Sequence, residues 1–236
     1  MRLHLQLTLL SILLTPAAVL HADVLDFTDN SICSNQMDGS GPIVFCIANG
    51  AGINQAYGDT AFINVSYQAG PNPGITLQRW DTGYSDLSYV AYGYFGANVA
   101  SITLTPTAGY QVTLNSFNLG TTPPNVSRDA TVTVTDIGTN TVVYTGSFTG
   151  ANQVGATAAF GAPGVTSAAG LRISYGIDVF NVAIDNINFT TAAVPPPPPT
   201  GVPEPSELVA SAAALLLAAA TSTRSRLRTR RGQGNL

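Results

Sequence analysis

Lysine is absent from this chain of 236 residues. Both histidines, His4 and His21, fall within the first 22 residues, and the only glutamates, Glu204 and Glu207, lie near the C-terminus. The long segment between, 23–194, is left with Asp, Arg, Tyr, Ser, Thr, Asn, Gln and two Cys for polar chemistry. Ser-His-Asp and Cys-His catalysis need an imidazole base, and the usual zinc sites need His or several Cys. Neither can be assembled here. Two Asp carboxylates could still serve a glycoside hydrolase, but eleven Asp spread through turn-rich stretches read more simply as solvated turn residues. The segment is therefore expected to be non-catalytic. Eleven Asp against Arg79, Arg128 and Arg172 leave it near minus eight, which argues against nucleic acid, whose phosphates need clustered cations.

What is present at the two ends concerns delivery. Residues 1–22 carry an early charge at Arg2 and an apolar run at 7–14, the arrangement of a secretory signal peptide. Cleavage is expected after Ala22, with Ala18 as the alternative because Leu20 stands where a small residue is preferred. Export to an oxidising compartment makes pairing of Cys33 with Cys46 the expectation, two separate buried thiols being the alternative. The enclosed Asp38-Gly39-Ser40-Gly41-Pro42 is turn-rich enough to bring the flanks together, and a loop of this size is stabilised by about 3 kcal/mol.

At the other end, residues 195–199 are five consecutive prolines that open a linker, 195–201, extended at about 3.1 Å per residue. Then come Val202-Pro203-Glu204-Pro205-Ser206, an apolar helix at 208–223, and a tail at 224–231 with Arg224, Arg226, Arg228, Arg230 and Arg231. The helix spans about 24 Å, marginal for a permanent crossing, and its basic flank marks the cytoplasmic side. In order and spacing, 202–231 resembles the C-terminal sorting signal of PEP-CTERM proteins. The resemblance implies an exported precursor held transiently in the inner membrane and processed by an exosortase. It also implies delivery to the cell surface or extracellular matrix, commonly beside exopolysaccharide. A retained single-pass anchor is the alternative.

Between the ends the dominant pattern is alternation of apolar residues with Thr, Ser, Asn or Gln, as in Ala130-Thr131-Val132-Thr133-Val134-Thr135. This is the period of half-buried strands. Ten such runs are separated by turn signals, with the securest hairpin pairing 132–135 with 142–145 across 136–140. The expectation is an all-β protein with one sandwich domain at 23–194, a jelly roll rather than an immunoglobulin-like fold because the strands exceed seven and no Cys-Trp-Cys spacing occurs.

Segments 109–117, 130–145 and 182–189 resemble the middle and final strands of galactose-binding-like and carbohydrate-binding-module jelly rolls. That resemblance implies a structural Ca²⁺ held by Asp185 of the last strand together with Asp26 and Asp29 of the N-terminal segment; turn hydrogen bonding is the simpler alternative. A second candidate site comes from the residues themselves. Segment 79–95 holds the sole Trp and four of nine Tyr, so Trp80 and Tyr84, with Arg79 and Asp81, could form a sugar-binding surface. Core packing of the same rings is the alternative. Two main functions therefore stand, a non-catalytic matrix or adhesion component and a carbohydrate-binding module with or without a stabilising Ca²⁺, and an Asp-based glycoside hydrolase comes third.

Overall fold

Alternation becomes strands throughout the computed structural model, which describes residues 20–70, 74–123, 128–150, 155–162, 164–195 and 197. The leader up to residue 19, the motif Val202 to Ser206, the apolar helix and the arginine tail lie outside the described residues. In chain order the strands begin with β1 (Leu20–Leu25), β2 (Cys33–Ser34), β3 (Ile43–Val44), β4 (Ala51–Gly52), β5 (Ile63–Gln68), β6 (Gln78–Trp80), β7 (Val90–Tyr92) and β8 (Val99–Pro106). They continue with β9 (Tyr110–Thr121), β10 (Arg128–Asp136), β11 (Thr141–Gly150), β12 (Ala156–Ala159), β13 (Val165–Ser167), β14 (Leu171–Gly176) and β15 (Val182–Ala193). Among the described residues no helix is long and apolar enough to cross a membrane.

Two antiparallel sheets form a β-sandwich. The first is ordered β12-β9-β15-β7-β6-β4, with β13 also on the edge of β9 and β1 on β15. Its spine is the β9–β15 pair, which runs from Val182 opposite Thr121 to Ala193 opposite Tyr110 and is interrupted by a register shift between Asp185 and Asn188. The second sheet is ordered β11-β10-β14-β8-β5. In both, strands distant in sequence are neighbours, so the chain crosses repeatedly between layers, as a jelly-roll-like sandwich requires. A contact boundary falls between Val194 and Pro195, where the proline run starts.

Inward residues fill the space between the layers at the alternating positions. Ile63, Val65, Tyr67, Ile102, Leu104, Val132, Val134, Ile173 and Tyr175 from the second sheet join Leu114, Phe117, Leu119, Ile184, Ile187 and Phe189 from the first in one buried cluster. At about 1.5–3 kcal/mol for each large side chain, this burial is the main source of stability. The expected hairpin is present, with Thr133 opposite Thr145 and a bulge between Val134 and Thr135. Its turn is held by Asp136 Oδ1, which accepts from the N–H (2.9 Å) and hydroxyl (3.1 Å) of Thr139.

Some boundaries differ from the expected ones. The run at 87–94 is strand only over β7, because Ser85 and Tyr89 take positive φ (55° and 62°) and fold the chain before it into turns. Strand β1 begins at Leu20, upstream of the expected cleavage point, and pairs Ala22 with Thr190. β12 and β13 lie in stretches too short and too rich in Ala and Gly for periodicity to show.

Candidate functional site

The four residues grouped at Arg79 to Tyr84 do not make an exposed surface. Arg79 lies in β6 on the face opposite Trp80 and is 2% exposed. Its Nε donates to the Phe27 carbonyl (2.9 Å), Nη2 to Asn30 Oδ1 (2.8 Å) and Nη1 to Asp81 Oδ1 (2.5 Å), while the Tyr89 ring covers the guanidinium at 4.7 Å. A buried guanidinium is tolerated only when its donors are met in this way. Arg79 is thus a clamp joining the segment after β1 to β6, and its place in the expected sugar surface is corrected accordingly.

Tyr84 is corrected for the same reason. It is 2% exposed, and its hydroxyl donates to the Phe180 carbonyl at 2.5 Å. Burial pushes that hydroxyl well above the usual tyrosine range. Gly120 of β9 permits the approach, since a Cβ there would come within 2.5 Å of the Tyr84 carbonyl. Trp80 is half-buried and meets Tyr92 edge-on at 5.7 Å. Tyr84, Val90, Tyr92 and Ala183 form a small second core, with Trp80 packed against it.

Asp185 lies at the register shift of β15 and is 3% exposed. One carboxylate oxygen, Oδ2, accepts from Asn186 Nδ2 at 2.9 Å; Oδ1 is buried with no partner. Desolvation pushes the carboxyl up to about 7, opposed by the backbone N–H of Asn186 and reinforced by the charge of Asp26. The β1–β15 register brings Asp26 near by setting Leu25 opposite Ile187. Asp26 Oδ1 accepts from the N–H (3.2 Å) and hydroxyl (3.0 Å) of Thr28. Asp29 is committed elsewhere: its Oδ1 accepts from the N–H and hydroxyl of Ser31, both at 2.7 Å, which hold its carboxyl below the ordinary value. Among the described residues no three His, Cys, Asp or Glu side chains gather in a metal-holding group. A hard cation would therefore rest on Asp185 and Asp26, with amide and carbonyl oxygens completing its shell.

Cys33 and Cys46 form a disulfide with Cα atoms 5.1 Å apart. Within or beside the loop they close, Met37, Ile43, Phe45 and Ile47 are all exposed.

A feature that periodicity could not locate lies on the outer face of the second sheet. A cleft of about 370 Å³ is lined by Gln68 of β5, Ser101 of β8, Arg172 and Ser174 of β14, and Asn98. Register places Gln68 opposite Ser101 and Ser101 opposite Ser174, so the three form a row across the strands. A second cleft of about 250 Å³ adjoins it along Gly70, Gly96 and Ala97 and is lined beyond them by Ile75, Tyr94 and Phe95. Phe95 stands in a turn closed by the Ala97 N–H to the Tyr94 carbonyl (3.0 Å), with Gly96 at φ 84°, and is 73% exposed.

No family model matches this chain, and no curated protein shows significant similarity to it.

Proposed function

We propose that this chain is an exported, non-catalytic β-sandwich protein, sorted through its C-terminal signal to the cell surface or extracellular matrix. The observation that carries the reading is the order of parts at 202–231: Pro203-Glu204-Pro205, one apolar run, then five arginines. Each part has a physical task. The helix holds the precursor in the inner membrane, the arginines keep its end on the cytoplasmic side, and the motif presents the processing site to an exosortase. The disulfide is consistent with an oxidising compartment. The narrow polar inventory of 23–194 is consistent with a role in binding or structure.

Fractionation of the producing cell tests this. Wild-type protein is expected at the surface or in the matrix, shortened at its C-terminus. Substituting Pro203, Glu204 and Pro205 by Ala should leave full-length precursor in the membrane fraction. Identical size and location for both proteins would reject the sorting role.

A second reading, a carbohydrate-binding module stabilised by Ca²⁺, is favoured by the buried and unpartnered Oδ1 of Asp185 beside Asp26. An oxygen left without a donor in the interior is an unmet acceptor that a cation would satisfy. Titration calorimetry with CaCl₂ at pH 8 decides it: saturable heat abolished by Asp185→Asn supports the site, and no heat rejects it.

A further inference from the structure

Three arginines serve segment 23–194, and two are spent on holding it together. The buried guanidinium of Arg79 pairs with the half-exposed Asp81. Arg128 reaches Asp178 Oδ2 at 3.0 Å and the Thr122 carbonyl at 2.8 Å. Arg172 is exposed on β14 and enters neither an ion pair nor a hydrogen bond among the described residues. It lines the larger outer cleft, and none of the eleven Asp lines that cleft or its neighbour. In a segment near minus eight, the one uncompensated cation thus stands in a depression free of carboxylates.

We propose that the joined clefts bind a polysaccharide whose sugars carry carboxylates. The guanidinium of Arg172 offers a planar fork of donors that matches a carboxylate. Asn98 and Ser174 stand beside it with an amide and a hydroxyl that can both give and accept hydrogen bonds to ring hydroxyls; Gln68, whose Nε2 donates to the Gly70 carbonyl at 2.7 Å, offers its amide oxygen, and Ser101 lies buried beneath them. At the far end Phe95 and Tyr94 offer aromatic surface for the apolar C–H face of a sugar ring. The residues common to the two clefts, Gly70, Gly96 and Ala97, are small. Through these shared residues the clefts join Arg172 at one end to Phe95 at the other.

Charge narrows the ligand class. A single guanidinium among neutral groups suits one negative charge per sugar; densely charged phosphate chains require clustered cations. The acidity of the remaining surface opposes any polyanion, but at physiological ionic strength charges beyond about 8 Å are largely screened. What remains is the local contact. This inference rests on the cleft and needs neither the sorting signal nor calcium, so its failure would leave those readings standing.

The test is affinity electrophoresis of the full chain, purified in neutral detergent, at about 0.15 M salt. Gels contain polygalacturonate, alginate, fully methyl-esterified polygalacturonate, dextran or polyglutamate. Retardation by at least one of the two polyuronates is expected, with little or none by the ester, dextran or polyglutamate. Arg172→Gln, which keeps donors but removes the charge, should weaken that binding about tenfold or more. Phe95→Ala should weaken it independently, and both side chains are exposed, so wild-type circular dichroism is expected for each variant. Failure of both polyuronates to retard the protein overturns the proposal. So does equal retardation by the ester or by polyglutamate, or undiminished binding by a folded Arg172→Gln protein.

Discussion

Replacing Asp185 by Asn should stabilise the sandwich at pH 8 and remove most of its dependence on pH between 4 and 7. The carboxyl is almost wholly buried, with one oxygen unpartnered, and its pKa is raised from 3.8 to about 7. An acid whose pKa rises on folding is protonated in the native state and ionised in the unfolded chain between those values. The native state then binds the extra proton, so stability is full below pH 4, falls as pH rises to 7, and is flat above. The displacement corresponds to at most about 4 kcal/mol. Asn cannot recover all of this, because its Nδ2 would take the place of an oxygen that has no partner, and an unmet buried donor costs about 1–3 kcal/mol. The net gain at pH 8 is therefore about 2 kcal/mol, or a Tm higher by about 4–8 °C for a domain of this size. Urea denaturation from pH 4 to 8, in EGTA, measures it. Asp29, Asp38 and Asp136 are held below the ordinary carboxylate range, chiefly by hydrogen bonds from Ser31, Ser40, Ser167 and Thr139, so both proteins should lose stability below pH 4. A wild type as stable at pH 8 as at pH 5, or an Asn variant weaker than wild type at pH 8, would refute the reasoning.

Other perturbations test the clamps and the edge strand. Changing Cys33 and Cys46 together to Ser should cost about 3 kcal/mol by freeing the loop in the unfolded chain, lowering Tm by about 6–12 °C in a thermal melt. Arg79→Ala abandons Asp81, the Phe27 carbonyl and Asn30 at once; a loss of about 3 kcal/mol in urea is expected. A loss under about 1 kcal/mol would mean that the buried guanidinium is dispensable. A chain starting at Val19 keeps all six residues of β1 paired, whereas one starting at Asp23 loses the pairings of Leu20, His21 and Ala22 and the stacking of His21 on Phe62 at 4.2 Å. The longer form should be more stable by about 1–3 kcal/mol, measured by denaturation of the two forms side by side.

The sandwich was legible because its information is local and periodic. Ile63, Val65 and Tyr67, or Val132 and Val134, alternate with polar neighbours, and that alternation alone states which face is buried. The Asp136 turn was legible because its residue types state a geometry. Segment 79–95 was legible only as aromatic. Whether Tyr84 faces solvent depends on Gly120, 36 positions along the chain, yielding space for it, and on a carbonyl at Phe180, and neither leaves a mark near Tyr84. The nearness of Asp26 to Asp185 came from family resemblance; in the structure it follows from the pairing of β1 with β15, first strand against last. The outer cleft could not be read at all, since Gln68, Ser101 and Ser174 meet through three strands whose order is set by crossovers.

Scarcity of charge ties these observations together. A domain with three arginines and no lysine cannot scatter cations as solubilising decoration, so each has a traceable position. Arg79 joins residues 49 to 52 apart in the chain, and Arg128 reaches 50 residues to Asp178. Both shorten the list of ways the layers can be assembled, much as the disulfide does between Cys33 and Cys46. Arg172 joins nothing, although its strand lies in the middle of the second sheet with β10 on one side and β8 on the other. Outward neighbours there, including Ser101, Thr103, Thr133 and Ser174, are neutral, so none of them supplies a counter-charge. A guanidinium that enters no ion pair among the described residues, set in a cleft whose other polar side chains are the neutral Gln68, Asn98, Ser101 and Ser174, is free to meet the carboxylate of the polysaccharide proposed above.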